Sequence, residues 1–233
     1  MPAKATGTAT QYEEIDRWMG GVGWIAHPEE TMQRASHALL TNEGVWLVDP
    51  IDAPQLDDLL AEFGDVAGVV VLSNHHTRDA DAVAARHDVP VTLPAPMTGV
   101  ADDLDAPTDR LDVGGTLGEY ELIEVARTGS AWQEYALYDG DTLVASESVG
   151  AADYMRVGDE RLGVMLVRRL TPPREAFSGL RPNRVLSGHG AGVHEAAGEA
   201  LADALENARR RFPQALAANG LAQVRTVAAA LRT

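Results

Sequence analysis

The stretch Val69–Val91, VVVLSNHHTRDADAVAARHDVPV, decides how this chain is read. Its first four residues are apolar and mostly β-branched, the composition of a buried strand. A turn with two adjacent histidines follows, then Arg78 and Asp79. The run RDADAVAARHD predicts a helix over 78–88, and VPVTLP (89–94) begins another strand. The layout is that of a strand delivering polar side chains at its C-terminal end, where a helix starts.

The same alternation extends upstream. ASHALLTNEGVWLVDPID (35–52) predicts two strands joined by the turn TNEG, the second ending at Asp49-Pro50. In APQLDDLLAEFG the apolar positions 56, 59, 60 and 63 have helical spacing, and Gly64 suits a C-cap. Residues 45–93 therefore alternate strand and helix, which is the pattern of helices covering a sheet. Downstream the pattern changes. LGEYELIEVAR (117–127), EYALYDG (134–140) and DTLVASES (141–148) predict strands linked by short turns, hence antiparallel pairing. TPPREAFSGL predicts a short helix, and NRVLSGHGAGV (183–193) repeats strand, turn and helix. HEAAGEALADALENARRRF predicts a long amphipathic helix, and the tail from Pro213 one more, so residues 193–233 are expected to be helical. Residues 1–12 are small and polar and read as a loose arm. No linker splits the chain, so 1–233 is expected to be a single domain.

Composition narrows the chemistry. The formal charge is −16 with a sequence pI of about 4.7, so nucleic acid and anionic membranes are not expected partners. The chain has one lysine, Lys4, against eighteen arginines and 35 acids, a balance expected of a protein kept soluble in high salt. With no cysteine, disulfides, thiolate-bound metals and thiol nucleophiles are excluded. No apolar run reaches the roughly 18 residues of a membrane span, and the N-terminus lacks an apolar signal core, so a cytoplasmic location is expected. There is no G-x-S-x-G elbow and no phosphate loop.

The order strand-VDP, helix, strand-histidine turn, helix, antiparallel strands and a late GHG turn resembles the metallo-β-lactamase superfamily over roughly residues 35–192. That resemblance implies a four-layer αββα sandwich. It also implies two metal ions, often zinc, held by an H-x-H-x-D-H turn, a histidine in a P-G-H-like turn, a bridging Asp and a final histidine in G-H-G. The metals would lower the pKa of a bridging water for hydrolysis.

This chain departs from that pattern. Laid on H-x-H-x-D-H, residues 74–79 read Asn74, His75, His76, Thr77, Arg78, Asp79. Only His76 meets a histidine position; Arg78 falls on the aspartate and Asp79 on the last histidine. RTGSAW places Ser130 at the next histidine, LVASES offers Glu147 as the nearest carboxylate, and LSGHG keeps His189. A guanidinium carries a permanent charge and cannot ligate a metal. Two readings of Arg78 follow: it points into the ancestral pocket and pairs with Glu147 or Asp79 in place of a metal, or it faces solvent at the helix N-terminus. Asp49 is expected to brace the histidine turn, with Asn74 and Ser130 in support. His76, Arg78, Asp79 and His189 are the candidate catalytic residues; His76, Asp79, Glu147 and His189 are the ligands of any retained ion. The cofactor expectation is none or one divalent metal (Zn, Mn or Fe), not a dinuclear zinc centre. The functional expectation is a diverged, metal-free or binding-type relative of the hydrolases. Its alternatives are a mononuclear metal-dependent hydrolase of a small ester, thioester or lactone, and a structural or assembly subunit. A small-molecule ligand and a homo-oligomer are both compatible with the composition.

Overall fold

The computed structural model describes residues 2–230, with the side chains of 221–230 left undescribed. β4 (Gly44–Val48), β5 (Val66–Val70), β6 (Val91–Pro94) and β7 (Thr108–Leu111) run parallel, because α1 (Leu56–Ala61) and α2 (Ala80–His87) return the chain between the first three. β1 (Glu13–Trp18), β2 (Gly21–Ile25) and β3 (Ala35–Thr41) extend this sheet antiparallel to seven strands in chain order. The second sheet has five strands, β14-β11-β10-β9-β8: β8 (Thr116–Leu117), β9 (Tyr120–Thr128), β10 (Trp132–Tyr138), β11 (Thr142–Ala145) and β14 (Arg184–Ser187). Only β11 and β14 pair in parallel. A short ribbon, β12 (Val149–Gly150) with β13 (Gly163–Val164), stands apart.

One core joins Trp24, Leu47 and Val69 of the first sheet to Leu122, Tyr135 and Leu186 of the second, and to Leu56, Leu60 and Val83 of α1 and α2. A second core packs Leu201, Ala204, Leu205 and Ala208 of α3 (Ala197–Ala230) on Ala136, Leu143 and Val185. Each sheet is thus lined by the other on one face and by helix on the outer face, which is the expected αββα sandwich. Among the described residues no helix is long and apolar enough to cross a membrane.

Four local expectations change. The β1–β2 hairpin was not foreseen. At Gly21 a Cβ would lie 2.1 Å from the Ala38 carbonyl oxygen, so the glycine allows β3 to approach. TPPREAFSGL forms successive turns rather than a helix, since Pro172 and Pro173 supply no N–H and Gly179 has φ 82°. α3 runs through Pro213 as one helix instead of breaking there, and residues 231–233 of the expected tail helix lie outside the described residues. The N-terminal arm is pinned: Thr31 N donates to Pro2 O (2.9 Å), Met32 N to Ala3 O (3.1 Å) and Ala5 N to Glu30 Oε2 (2.8 Å), and Ala9 is in the core.

Asp16 fastens edge strand β1 to the loop after His189. Its carboxylate accepts from Gly192 N (2.9 Å) and from His194 Nε2 (2.7 Å), and His37 Nε2 lies 3.5 Å away. Burial alone would raise this carboxyl, but the nearby His37 ring and the bonds from His194 and Gly192 outweigh it and hold the pKa below the ordinary carboxylate value. A depressed carboxyl stabilises the fold above its unfolded pKa, and that contribution disappears as pH falls through the folded value. Asp16→Asn should therefore cost about 2 kcal/mol at neutral pH, with the gap to wild type narrowing below about pH 4 in a urea-denaturation series. A gap independent of pH would show that packing, not charge, matters there.

Candidate functional site

Four strands end together. β4 and β5 are parallel neighbours in one sheet, β11 and β14 in the other, so all four C-terminal ends lie at one end of the sandwich. The residues just beyond those ends are Asp49, the Ser73–Arg78 turn, Glu147 and His189.

Both histidines are anchored through one ring nitrogen and turn the other inward. His76 Nδ1 lies 2.7 Å from Asp49 Oδ2, while Asp49 Oδ1 accepts from Leu72 N at 2.8 Å. Asp49 thus braces the turn as well as the ring. His189 Nδ1 lies 2.9 Å from the Met32 carbonyl oxygen; a carbonyl only accepts, so Nδ1 carries the hydrogen. The inward Nε2 atoms meet Glu147: His76 Nε2 at 2.7 Å from Oε1 and His189 Nε2 at 3.5 Å from Oε2. His189 Nε2 is shielded from water and makes no hydrogen bond among the described residues. The rings stand 5.3 Å apart, and Tyr154 packs edge-on against His189.

Charge and burial compete here. Burial and Arg78 both push the His76 pKa down, but Glu147 and Asp49 prevail and raise it. Burial would raise Glu147, yet His76 and His189 hold its carboxyl well below the usual carboxylate range. His76 is 2 % exposed, Glu147 5 % and His189 0 %: the cluster is sealed.

Arg78 does enter the centre, but it does not make the expected carboxylate pair. Its Nη1 donates to the carbonyl oxygens of Ala35 and Asp49, the second at 2.9 Å, and its Nη2 donates to Gly188 O at 3.0 Å. One guanidinium thereby joins β3, the end of β4 and the β14 turn, spanning both sheets. Nη2 also lies 3.4 Å from His76 Nε2. Burial lowers the Arg78 pKa to about 10, partly offset by Asp49, so it stays cationic at neutral pH. Both Arg78 and Asp49 have positive φ, 45° and 47°, a backbone conformation held only where tertiary bonds over-determine it.

The remaining candidates are elsewhere. Asp79 is corrected: its carboxylate turns to Asp52 N (2.9 Å) and does not join the cluster. Asn74 bonds to Ser130 O (3.1 Å) and Gln133 N (2.8 Å), tying the histidine turn to the β9–β10 turn. Ser130 offers that carbonyl, and its side chain is at an exposed position. Sequence reading missed Glu134, a fully buried carboxylate beneath Glu147; its signal was a lone charge in the strand EYALY.

The residues do not fit two metals, because Asn74, Arg78, Asp79 and Ser130 leave the first ion without a donor set. Chemically, His76 Nε2, a Glu147 oxygen and His189 Nε2 suit a single ion, and these atoms lie within 4.8 Å of one another. The anchored Nδ1 atoms are the support such ligands ordinarily have. Arg78 opposes any cation placed there.

No family sequence model matches the chain, and no curated protein sequence is significantly similar to it. Solved structures are similar. The metallo-β-lactamase DIM-1 shares 12% identity over 87% of this chain and 100% of its own, with a TM-score of 0.57. The metallo-β-lactamase FIM-1 from Pseudomonas aeruginosa, in a mono-zinc form, shares 13% over 88% and 99%, with a TM-score of 0.56. Rubredoxin oxygen:oxidoreductase from Desulfovibrio gigas shares 14% over 89% of this chain and 59% of its own, with a TM-score of 0.54. Identities this low speak to fold alone, and the chain has the fold of the metallo-β-lactamases.

Proposed function

We propose that the protein is a metal-free relative of the metallo-β-lactamase hydrolases, in which the ancestral centre is an internal ion-pair cluster, and that it acts through its surface as a binding or assembly protein. The observation that carries this reading is Arg78. A guanidinium stands inside the centre, its two Nη atoms donate to three main-chain carbonyls, and it touches the His76 nitrogen that an ion would need. The sealing of His76, Glu147 and His189 supports it, since a hydrolytic site must admit substrate and water.

A single-metal hydrolase of a small ester, thioester or lactone is the second reading. It is favoured by the buried, unbonded Nε2 of His189. An ion held by His76, Glu147 and His189 would supply a water of lowered pKa; the chain's own part would be Asp49 and the Met32 carbonyl orienting the two rings.

Metal content of untagged protein, purified without chelator, separates the two. The first reading expects well under one equivalent and a melting temperature unchanged by chelator. About one equivalent of Zn, Mn or Fe, lost in His189→Ala, would replace it with the second.

A further inference from the structure

We propose that Glu134 is a positioning residue that sets the contact between His76 and Glu147, a role deepening the ion-pair reading above. Its main chain and its side chain reach different parts of the centre. In the main chain, Glu134 bridges Ser73, Asn74 N donates to Gln133 O (3.1 Å) and Tyr135 N to Leu72 O (2.8 Å). β10 thus runs along the turn that carries His76. A register shift in the β9–β10 pairing falls between Glu134 and Tyr135, as a bulge that re-aims a side chain does.

In the side chain, Oε1 accepts from Glu147 N (3.1 Å) and Ser148 N (2.6 Å), and Oε2 from Ser148 Oγ (2.5 Å) and Trp132 Nε1 (2.9 Å). These four bonds hold the turn that carries Glu147. One residue is therefore fixed to both turns whose side chains meet at 2.7 Å, His76 Nε2 to Glu147 Oε1. All four donors are neutral, although the carboxylate is 0 % exposed. A buried carboxylate without a cationic partner costs stability unless its oxygens are hydrogen-bonded, as both are here. Burial raises its carboxyl pKa, with the Ser148 and Trp132 bonds opposing.

Glu134→Gln is the near-isosteric test. An amide can present its oxygen to the two main-chain N–H groups, and Ser148 can turn to accept. The Trp132 N–H cannot, so that bond is lost and the turn shifts. The readout is the long-range 1H–15N spectrum of the imidazoles, in which the His76 Nε2 resonance reports its contact with Glu147. Glu160→Gln is the control: Glu160 is a buried carboxylate paired with Arg169 at 2.6 Å, outside the cluster.

Glu134→Gln should shift the His76 Nε2 signal markedly. Glu160→Gln should lower the melting temperature and leave that signal in place. Should Glu134→Gln fail to fold, Trp132→Phe and Ser148→Ala, which each remove one donor, should shift the signal in the same direction by less. An unshifted signal in a folded Glu134→Gln, or in both single-donor variants, overturns the proposal, as does an equal shift in Glu160→Gln. Wild-type spectra with and without added Zn(II) test the metal-free reading separately, because the variant comparison is made within one metal state.

Discussion

Arg78→Ala should lower the unfolding free energy by about 4 kcal/mol, since unpaired buried carbonyls cost roughly 1–3 kcal/mol each. The substitution strips the Ala35, Asp49 and Gly188 carbonyls of their shared donor at the junction of the two sheets. One effect runs the other way: the guanidinium places a cation 3.4 Å from the His76 ring, and removing it relieves its opposition to charge on that ring. The relief is the smaller, because Glu147 and Asp49 each lie 2.7 Å from a His76 ring nitrogen and already balance its charge. In a chain of this size 4 kcal/mol corresponds to a melting-temperature drop of roughly 8–16 °C. Arg78→Lys should recover only part of the loss, since one ammonium cannot span three carbonyls as a planar fork does. An Arg78→Ala variant within 1 kcal/mol of wild type would show that the guanidinium is not the cross-link between sheets.

In chelator, Glu147→Gln should destabilise the protein by about 3–5 kcal/mol, the usual cost of removing one partner from a buried pair. His76 Nε2 would lose the carboxylate that lies 2.7 Å away, and Asp49 would be the one carboxylate still bonded to the ring. The two functional readings predict different signs here. If the cluster exists to hold an ion, the carboxylate of the ion-free protein is an uncompensated buried charge, and neutralising it leaves stability unchanged or improved. If the cluster is an ion pair in its own right, neutralisation is costly. Thermal melts of wild type and variant in the same chelating buffer decide this. A stabilised Glu147→Gln would remove the ion-pair reading and leave the single-metal one.

Much of the architecture was legible because it rests on periodicity. The alternation over residues 45–93 and the VDP, NHHTRD and GHG turns mark strand ends, and a parallel pair must present its C-terminal ends on the same side. His76, Glu147 and His189 were brought together, along with Asp79, by laying the chain on the motif of the family it resembles. Asp79 was misplaced because a motif alignment supplies positions and not directions. Asp79 directly precedes α2, and its carboxylate finds the Asp52 N–H before it could reach the centre. Glu134 was passed over because a strand's charged residues are ordinarily solvated, and whether one is buried depends on the partner strand.

From the sequence by itself come the strand–helix alternation, the absence of thiol chemistry and the net negative charge, which follow from composition and local spacing. The αββα design and the position of Arg78 in the histidine motif came from the resemblance to the metallo-β-lactamases. The tertiary structure alone decided what Arg78 bonds to, that the centre is sealed, and that Glu134 supports it. Those outcomes depend on main-chain carbonyls and turns from β3, β4, β10 and β14, which meet only when the two sheets close.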